Sequence, residues 1–305
     1  MAATRVGCQA DPGPAATFRD ACHRRCLIEP GILLGVGSAA AWGTGDFAGG
    51  LAARRAGGLL ATGGAQLVGL VLLLLAVVVL RPSPPAASTL ALGALGGIAG
   101  GLGLAALYRA LGMGAMGLVS AVSGVGGVLI PLAVGIALWG TVIQPLQLAG
   151  VGCALAAIAA ASGATTRGVS REALLLALMA AIGFGLWFVF LDRAAEHGQL
   201  WALVASRGSA SIVVGGTALL RADRSRLRGV APLVAVAGLL DVTANGMVVL
   251  AFATIPVGIA AALSGTYPLA TMLLARTVLG EALPRLGLAA VVLAVAGIVL
   301  ISLGG

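Results

Sequence analysis

Apolar runs of about 20 residues recur along the chain from residue 31 to its C-terminal end, and each is long enough to cross a bilayer as a helix. The runs are continuously apolar rather than alternating at every second residue, which excludes a transmembrane barrel. The predicted fold class is therefore an all-α polytopic membrane protein. Its ten predicted spans are 31–53, 59–80, 89–109, 116–139, 146–162, 173–191, 199–220, 230–252, 257–279 and 286–303.

Charged residues are too few for a water-facing surface. They make up 9% of the 305 residues, against about 25% in a soluble domain. The formal net charge of +8 comes from arginine alone, and most arginines fall in short loops or at span ends, where they set topology and meet lipid headgroups. We therefore expect the lipid bilayer as a partner and no nucleic acid.

Residues 1–30 are predicted to be a disordered tail. The run "CHRRC" at 22–26 offers two cysteines and His23 without a second pair of ligands, so no zinc site is expected. The charged-then-apolar layout also resembles a signal peptide. Span 1 continues well beyond the candidate cleavage site, however, and we favour a retained span.

The two halves of the chain align at an offset of 141 positions. Residues 94–124 lie over 235–265 without gaps, both "SG" pairs fall in the fourth span of their half, and the span boundaries keep the same register. This predicts two five-span repeats, 31–162 and 173–303, joined by a linker at 163–172. An odd number of spans inverts the second copy, as in many secondary transporters. A duplicated membrane scaffold without transport is the alternative.

Several motifs carry a resemblance to a known family. Span 1 contains "AAAWGTGDFAGGLAARR" (39–55), and the second half contains "SGTYP" (264–268), "LLAR" (273–276) and "LGE" (279–281). Over residues 31–303 the chain resembles EamA-type members of the drug/metabolite transporter superfamily. The resemblance implies ten helices in two inverted five-helix halves and export of small metabolites or drugs. It departs from the family at Gly140, which stands where the first half often has the counterpart of Glu281.

The resemblance also implies a location in the cell membrane, inner or plasma, with both termini in the cytoplasm. The arginine count disagrees, because the loops after spans 1, 5 and 7 are richer in arginine than those on the other side. By the positive-inside rule this pattern would place the termini outside.

Ionisable residues inside a membrane are candidates for function, because each is costly when it faces lipid. Four lie deep in predicted spans: Asp46, Arg207, Asp241 and Arg276. The arginines at span ends are expected to reach the headgroups instead; these are Arg54, Arg55, Arg109 and Arg193.

Asp241 and Asn245 are four residues apart, so they share one face of span 8. Their counterparts in the first half are Gly100 and Leu104, so this polar face exists only once. Contact with an asymmetric substrate would explain that. Alternatively, Asp241 neutralises Arg207 or Arg276 as a buried ion pair.

A second group of candidates combines a carboxylate with aromatic rings. Asp46 lies between Trp42 and Phe47, a setting that suits a cation, an amino group or a coupled proton. Trp187 is the approximate counterpart of Trp42 in span 6, and Tyr267 precedes a predicted kink. Trp42 could instead belong to an interfacial aromatic belt.

Glycines and prolines supply the predicted gating elements. Gly124 and Gly265 belong to the "SG" pairs, and Pro131 and Pro268 are expected to kink spans 4 and 9. Glu281 is predicted to lie at the turn into span 10, where it would stabilise the helix N-terminus and meet Arg285.

No enzyme constellation, metal-ligand set, phosphate loop or cofactor motif is found in the sequence. The leading hypothesis is a proton- or gradient-coupled exporter of small metabolites such as amino acids. The alternatives are a multidrug or organic-cation exporter and a non-transporting scaffold. The expected partner is a small-molecule substrate, and a homodimer stays open.

Overall fold

The computed structural model describes residues 18–140, 142–164, 170–195, 198–252, 254, 263–282 and 284–303, and within them the chain is helical and contains no strand. A π-helical turn interrupts the seventh helix at Ser211–Gly215. The long helices are α1 (Phe18–Ala56), α2 (Gly58–Leu80), α3 (Ala87–Gly112), α4 (Met116–Trp139), α5 (Pro145–Ala164), α6 (Arg171–Ala195), α7 (Gln199–Arg221), α8 (Leu227–Phe252), α9 (Tyr267–Leu279) and α10 (Arg285–Leu303).

Seven of these helices are long and apolar enough to cross a membrane: α2, α3, α4, α6, α7, α8 and α10. Helices α5 and α9 contribute shorter apolar segments. Large side chains point outward from them, for example Val79 at 78% and Leu220 at 86% exposure, as expected where hydrocarbon replaces water. The chain is a polytopic helical membrane protein.

Helix α1 begins earlier than predicted. Residues 18–30, expected to be part of a disordered tail, are helical, whereas residues 1–17 lie outside the described residues. Once a long apolar helix has formed, each added turn avoids the cost of nucleation. The apolar span can therefore carry a polar extension that would not be helical alone.

Helix α9 begins later than predicted. The sequence suggested one kinked span over 257–279, but α9 starts at Tyr267 with Pro268 in its first turn, after a turn at Gly265 and Thr266. Proline is tolerated there because the first helical N–H groups have no intrahelical partner. Pro268 thus starts a helix rather than bending one. Residues 255–262 lie outside the described residues. Pro131, where a kink of span 4 was predicted, lies inside α4, which continues from Met116 to Trp139.

The helices pack in reciprocal pairs. Helix α3 packs against α6 and α7, and α8 packs in the same way against α1 and α2. Helices α1 and α6 also contact α9 and α4, respectively. Further contacts join the first five helices to the last five: α2 packs against α7, α4 against α9 and α10, and α5 against α10.

Close glycine contacts repeat at the 141-residue offset. A Cβ on Gly238 in α8 would lie 2.6 Å from the carbonyl oxygen of Ala65 in α2. Gly97 in α3 presses in the same way on the carbonyl of Ser206 in α7. Both residues of the second contact are 141 positions from those of the first, so the α3–α7 and α8–α2 contacts have the same register.

The loops after α1, α3 and α9 lie on one side of the bundle, which we call the odd-loop face. There a Cβ on Gly58 would lie 2.9 Å from the backbone nitrogen of Arg109, and Glu281 pairs with Arg54. On the opposite side the Trp201 indole N–H donates to the carbonyl of Ser83 over 2.9 Å. The largest cluster of buried hydrophobic residues among those described lies toward the odd-loop face. It includes Tyr108, which is 1% exposed.

Candidate functional site

A central cavity of about 120 Å³ lies between α1, α2, α3, α4, α6, α7, α8 and α9. Eight of the residues singled out in the sequence line it: Trp42, Asp46, Gly124, Trp187, Arg207, Asp241, Asn245 and Tyr267. Five others do not: Pro131, Gly265, Pro268, Arg276 and Glu281. The fold thus brings most of the deep polar candidates of both halves to one place.

One wall of the cavity carries a hydrogen-bonded charge pair. The Arg207 guanidinium forms an ion pair with the Asp241 carboxylate and also donates to Gln66 Oε1 over 2.7 Å. The two side chains of the ion pair are 10% and 21% exposed. Asn245, one turn after Asp241, donates its amide N–H to the Asp241 carbonyl over 2.6 Å. Of the partners considered for Asp241, the structure selects Arg207.

Asp46 faces the same cavity without such a partner. The residue is 9% exposed, and its carboxylate has no hydrogen bond or ion pair within the part of the chain that the structure describes. A buried carboxylate left in this state is destabilising. The cavity therefore contains one compensated and one uncompensated carboxylate.

Two aromatic rings flank Asp46. Trp42 is one helical turn earlier on α1, so both side chains leave the same face of that helix, and both line the cavity. The Trp42 ring meets Tyr267 edge-on, with centroids 6.3 Å apart at 71°. This corner of the cavity combines a carboxylate with the faces and edges of two rings.

Another part of the cavity lining is mostly apolar. Trp187 packs edge-on against Phe188 with centroids 4.8 Å apart, and its indole N–H donates to Ser206 Oγ over 2.9 Å. Gly100 on α3 leaves room for the Trp187 ring, since a Cβ at this position would lie 2.7 Å from Trp187 Cδ1. Leu104 and Phe184 complete this side.

Arg276 is not a buried charge partner. It lies in the last turn of α9, is exposed, and has no ion pair among the described residues. The prediction was wrong because α9 ends at Leu279, so a long arginine side chain at this depth reaches the surface.

Glu281 has different partners from those predicted. Its carboxylate pairs with Arg54 and accepts a hydrogen bond from the Met116 backbone N–H over 3.0 Å. It therefore stabilises a helix N-terminus, as expected for a carboxylate, but that of α4 rather than α10. Glu281 thus pairs with Arg54 instead of the expected Arg285.

Arg109, which was expected to reach the lipid headgroups, forms an ion pair with Glu172 over 2.5 Å.

Gln66 lines the cavity but was not predicted from the sequence. It is 4% exposed and holds Arg207 in place. A signal was present, since it is the only amide side chain in α2 and stands 141 positions from Arg207. Ser123, Ser206, Phe184 and Phe188 were also missed, because serine and phenylalanine are unremarkable in an apolar helix.

No metal site emerges from the geometry, since no cluster of three or more His, Cys, Asp or Glu occurs among the described residues. No protein of curated function matches the chain. Among solved structures, one reported as a crystal structure of a protein superposes with a TM-score of 0.57 at 18% identity, over 90% of this chain and 96% of its own. That likeness concerns the fold.

A family match is found in the second half of the chain. Residues 171–303 match the EamA-like transporter family. This stretch contains Arg207, Asp241, Asn245 and Tyr267 of the cavity together with the "SGTYP", "LLAR" and "LGE" motifs. The resemblance noted in the sequence is confirmed over residues 171–303, where the chain is similar to the EamA-like transporter family.

Proposed function

We propose that the protein is a secondary active transporter that exports small metabolites, such as amino acids, by alternating access through the central cavity. The observation that carries the proposal is the Asp46 carboxyl group, which is buried without a partner among the described residues in a cavity that both halves of the chain line. Intramembrane ionisable residues that face a cavity mark substrate or ion pathways.

The proposal includes ten spans in two inverted repeats, 31–162 and 173–303, joined at 163–172. The reciprocal helix pairs and the glycine contacts repeated at 141 residues support it. So does the contact between Gln66 and Arg207, which are 141 positions apart. Two counterparts can touch only where they lie next to the axis that relates the copies. Secondary transporters commonly bind substrate at such a repeat interface near the bilayer midplane.

Dense packing on one side of the cavity supports alternating access. Toward the odd-loop face, Gly49 presses against the ring of Tyr108, and Leu107 and Leu111 are fully buried. Glu281 joins α1 to the N-terminus of α4 at the surface of that face. Opening this side requires these contacts to separate.

The test is counterflow into proteoliposomes with a panel of amino acids and cationic dyes, at both signs of a pH gradient. We expect flux of at least one panel member, reduced about tenfold or more by Asp46→Asn, because the substituted amide cannot carry the charge that binds a cation or proton. A non-transporting scaffold, the alternative of a different class, predicts no flux and no effect of Asp46→Asn.

A multidrug or organic-cation exporter is the second candidate within transport. Asp46, which has no partner among the described residues, favours it, since a cation is the natural counterion of a buried carboxylate. Flux of the dyes without flux of any amino acid would support this candidate over the first.

We further propose a location in the cell membrane with both termini in the cytoplasm, as the family resemblance implies. The competing orientation follows from the arginine-rich loops after α1, α5 and α7. A C-terminal reporter fusion decides between them, and a reporter active only outside the cytoplasm would overturn our orientation.

A further inference from the structure

We infer that the cavity selects small apolar amines without a free carboxylate, with Asp46 binding the ammonium group. This inference rests on the proposed transport function and narrows its substrates to metabolites that carry an amine but no carboxylate, in place of the amino acids named as the example. Amino acids as zwitterions would then be poor ligands, whereas amines, amino alcohols and similar derivatives would be good ones.

The charge balance of the cavity is the first support. Three charged side chains line it within the described residues: Asp46, Arg207 and Asp241. With Asp46 ionised, one guanidinium against two carboxylates leaves one negative charge. A bound monocation restores neutrality, and a zwitterion of zero net charge does not.

The state of Arg207 is the second support. Its guanidinium pairs with Asp241 and donates to Gln66, so its positive charge is already balanced by a carboxylate. A ligand carboxylate would have to displace Asp241 or share the one guanidinium with it. Both alternatives leave a buried charge without compensation, which is strongly unfavourable.

The surroundings of Asp46 are the third support. Trp42 leaves the same face of α1, and Tyr267 meets its ring edge-on. An ammonium group that binds Asp46 can contact an aromatic face as well, a favourable arrangement for a cation. Elsewhere in the lining, Trp187, Phe188 and Leu104 offer apolar surface for the rest of the ligand.

Four probes with one phenyl ring separate these contributions: phenethylamine, phenylalaninol, phenylalanine and 3-phenylpropionate. Phenylalaninol keeps the amine and nearly the size of phenylalanine but replaces the carboxylate with a hydroxymethyl group. Calorimetry on the purified full chain measures binding. We expect both amines without a carboxylate to bind at least about tenfold tighter than phenylalanine, and 3-phenylpropionate not to bind.

The variants assign the effect to its residues. Asp46→Asn should abolish the preference for the amines, while Asp223→Asn, in the exposed α7–α8 loop, should leave it intact. Hydrogen bonds from the Ser225 side chain and backbone lower the pKa of Asp223, so this control removes a charge outside the cavity. Asp241→Asn should improve phenylalanine binding, because it frees the Arg207 guanidinium. Melting curves confirm that each variant is folded.

Phenylalanine binding as tightly as phenylalaninol would overturn the inference and leave the transport proposal standing. Failure of all four probes to bind would also overturn it. The proposed function fails separately, if no member of the broader flux panel is transported. A preference for amines that survives Asp46→Asn would show that another group recognises them.

Discussion

A carboxylate buried without hydrogen bonds destabilises the protein that carries it, so the surroundings of Asp46 and Asp241 are informative at the scale of single residues. Asp241 has Arg207 as a partner, and Arg207 has Gln66. Asp46 has none among the described residues. Asp241 and Arg207 compensate each other's charge, so a structural role explains why both are buried. Asp46 is best explained by a group that binds to it from the cavity.

The pair gives a prediction about stability. Removing one partner, as in Arg207→Gln or Asp241→Asn, should lower the free energy of unfolding by about 3 kcal/mol, because the remaining charge stays buried. Replacing both residues together should cost less than the sum of the single changes. Unfolding in mixed micelles by a denaturing detergent measures all three variants, and strictly additive effects would contradict a direct interaction.

At the scale of helices, glycine decides how closely neighbours approach. Gly97 presses on the carbonyl of Ser206, whereas Gly208, also inside α7, has open space where a Cβ would be. Small residues at such contacts let helix backbones meet. The position of the α3–α7 contact next to the cavity therefore depends on the missing side chain.

We expect Gly97→Ala to destabilise the protein by about 1–3 kcal/mol through a forced separation of α3 from α7. Gly208→Ala should be neutral or stabilising by up to about 1 kcal/mol, because alanine favours the helix and meets nothing. Thermal unfolding compares the two variants. Equal effects would mean that the close contact at Gly97 does not limit packing.

Two ion pairs near the odd-loop face, Arg54–Glu281 and Arg109–Glu172, allow a second matched comparison of stability. Glu281 is 20% exposed and also binds the N-terminus of α4, whereas Glu172 is 52% exposed and pairs with Arg109 alone. Glu281→Gln should therefore lower the free energy of unfolding by about 1–2 kcal/mol, and Glu172→Gln by less than about 0.5 kcal/mol. Hydrogen exchange at the Met116 amide should accelerate in Glu281→Gln alone. Unchanged exchange at Met116 would contradict the assigned role.

For the whole molecule, long apolar runs made the membrane class and most helix bounds predictable, since length and hydropathy are local properties. What could not be predicted is which distant residues meet. The Arg54–Glu281 pair depends on the packing of helices far apart in sequence, and Arg276 was misplaced because depth depends on where α9 ends. The start of α9 at Tyr267 was not predicted, because a proline such as Pro268 is compatible with the first turn of a helix as well as with a kink.

The alternation of loops gives a prediction that does not depend on absolute orientation. In a background without native cysteines, Arg55→Cys and Arg171→Cys should react with an impermeant thiol reagent from the same side of the membrane. Arg81→Cys should react from the other, since it follows α2 rather than α1 or α5. Labelling of all three from one side would contradict the arrangement of the helices.

The contact between Gln66 and Arg207 has a consequence for chain length. In a symmetric pair of identical five-helix chains, this position would face its own copy, bringing together two arginines or two glutamines. Two copies of the second half would place two guanidinium groups face to face, which repel strongly in a low-dielectric interior. Two copies of the first half would have two glutamines and Gly100 in place of Asp241, and so no charge pair. Under the proposed repeat arrangement, two halves of different sequence let the position carry a different residue on each side, so the charge pair of the cavity depends on the divergence of the halves.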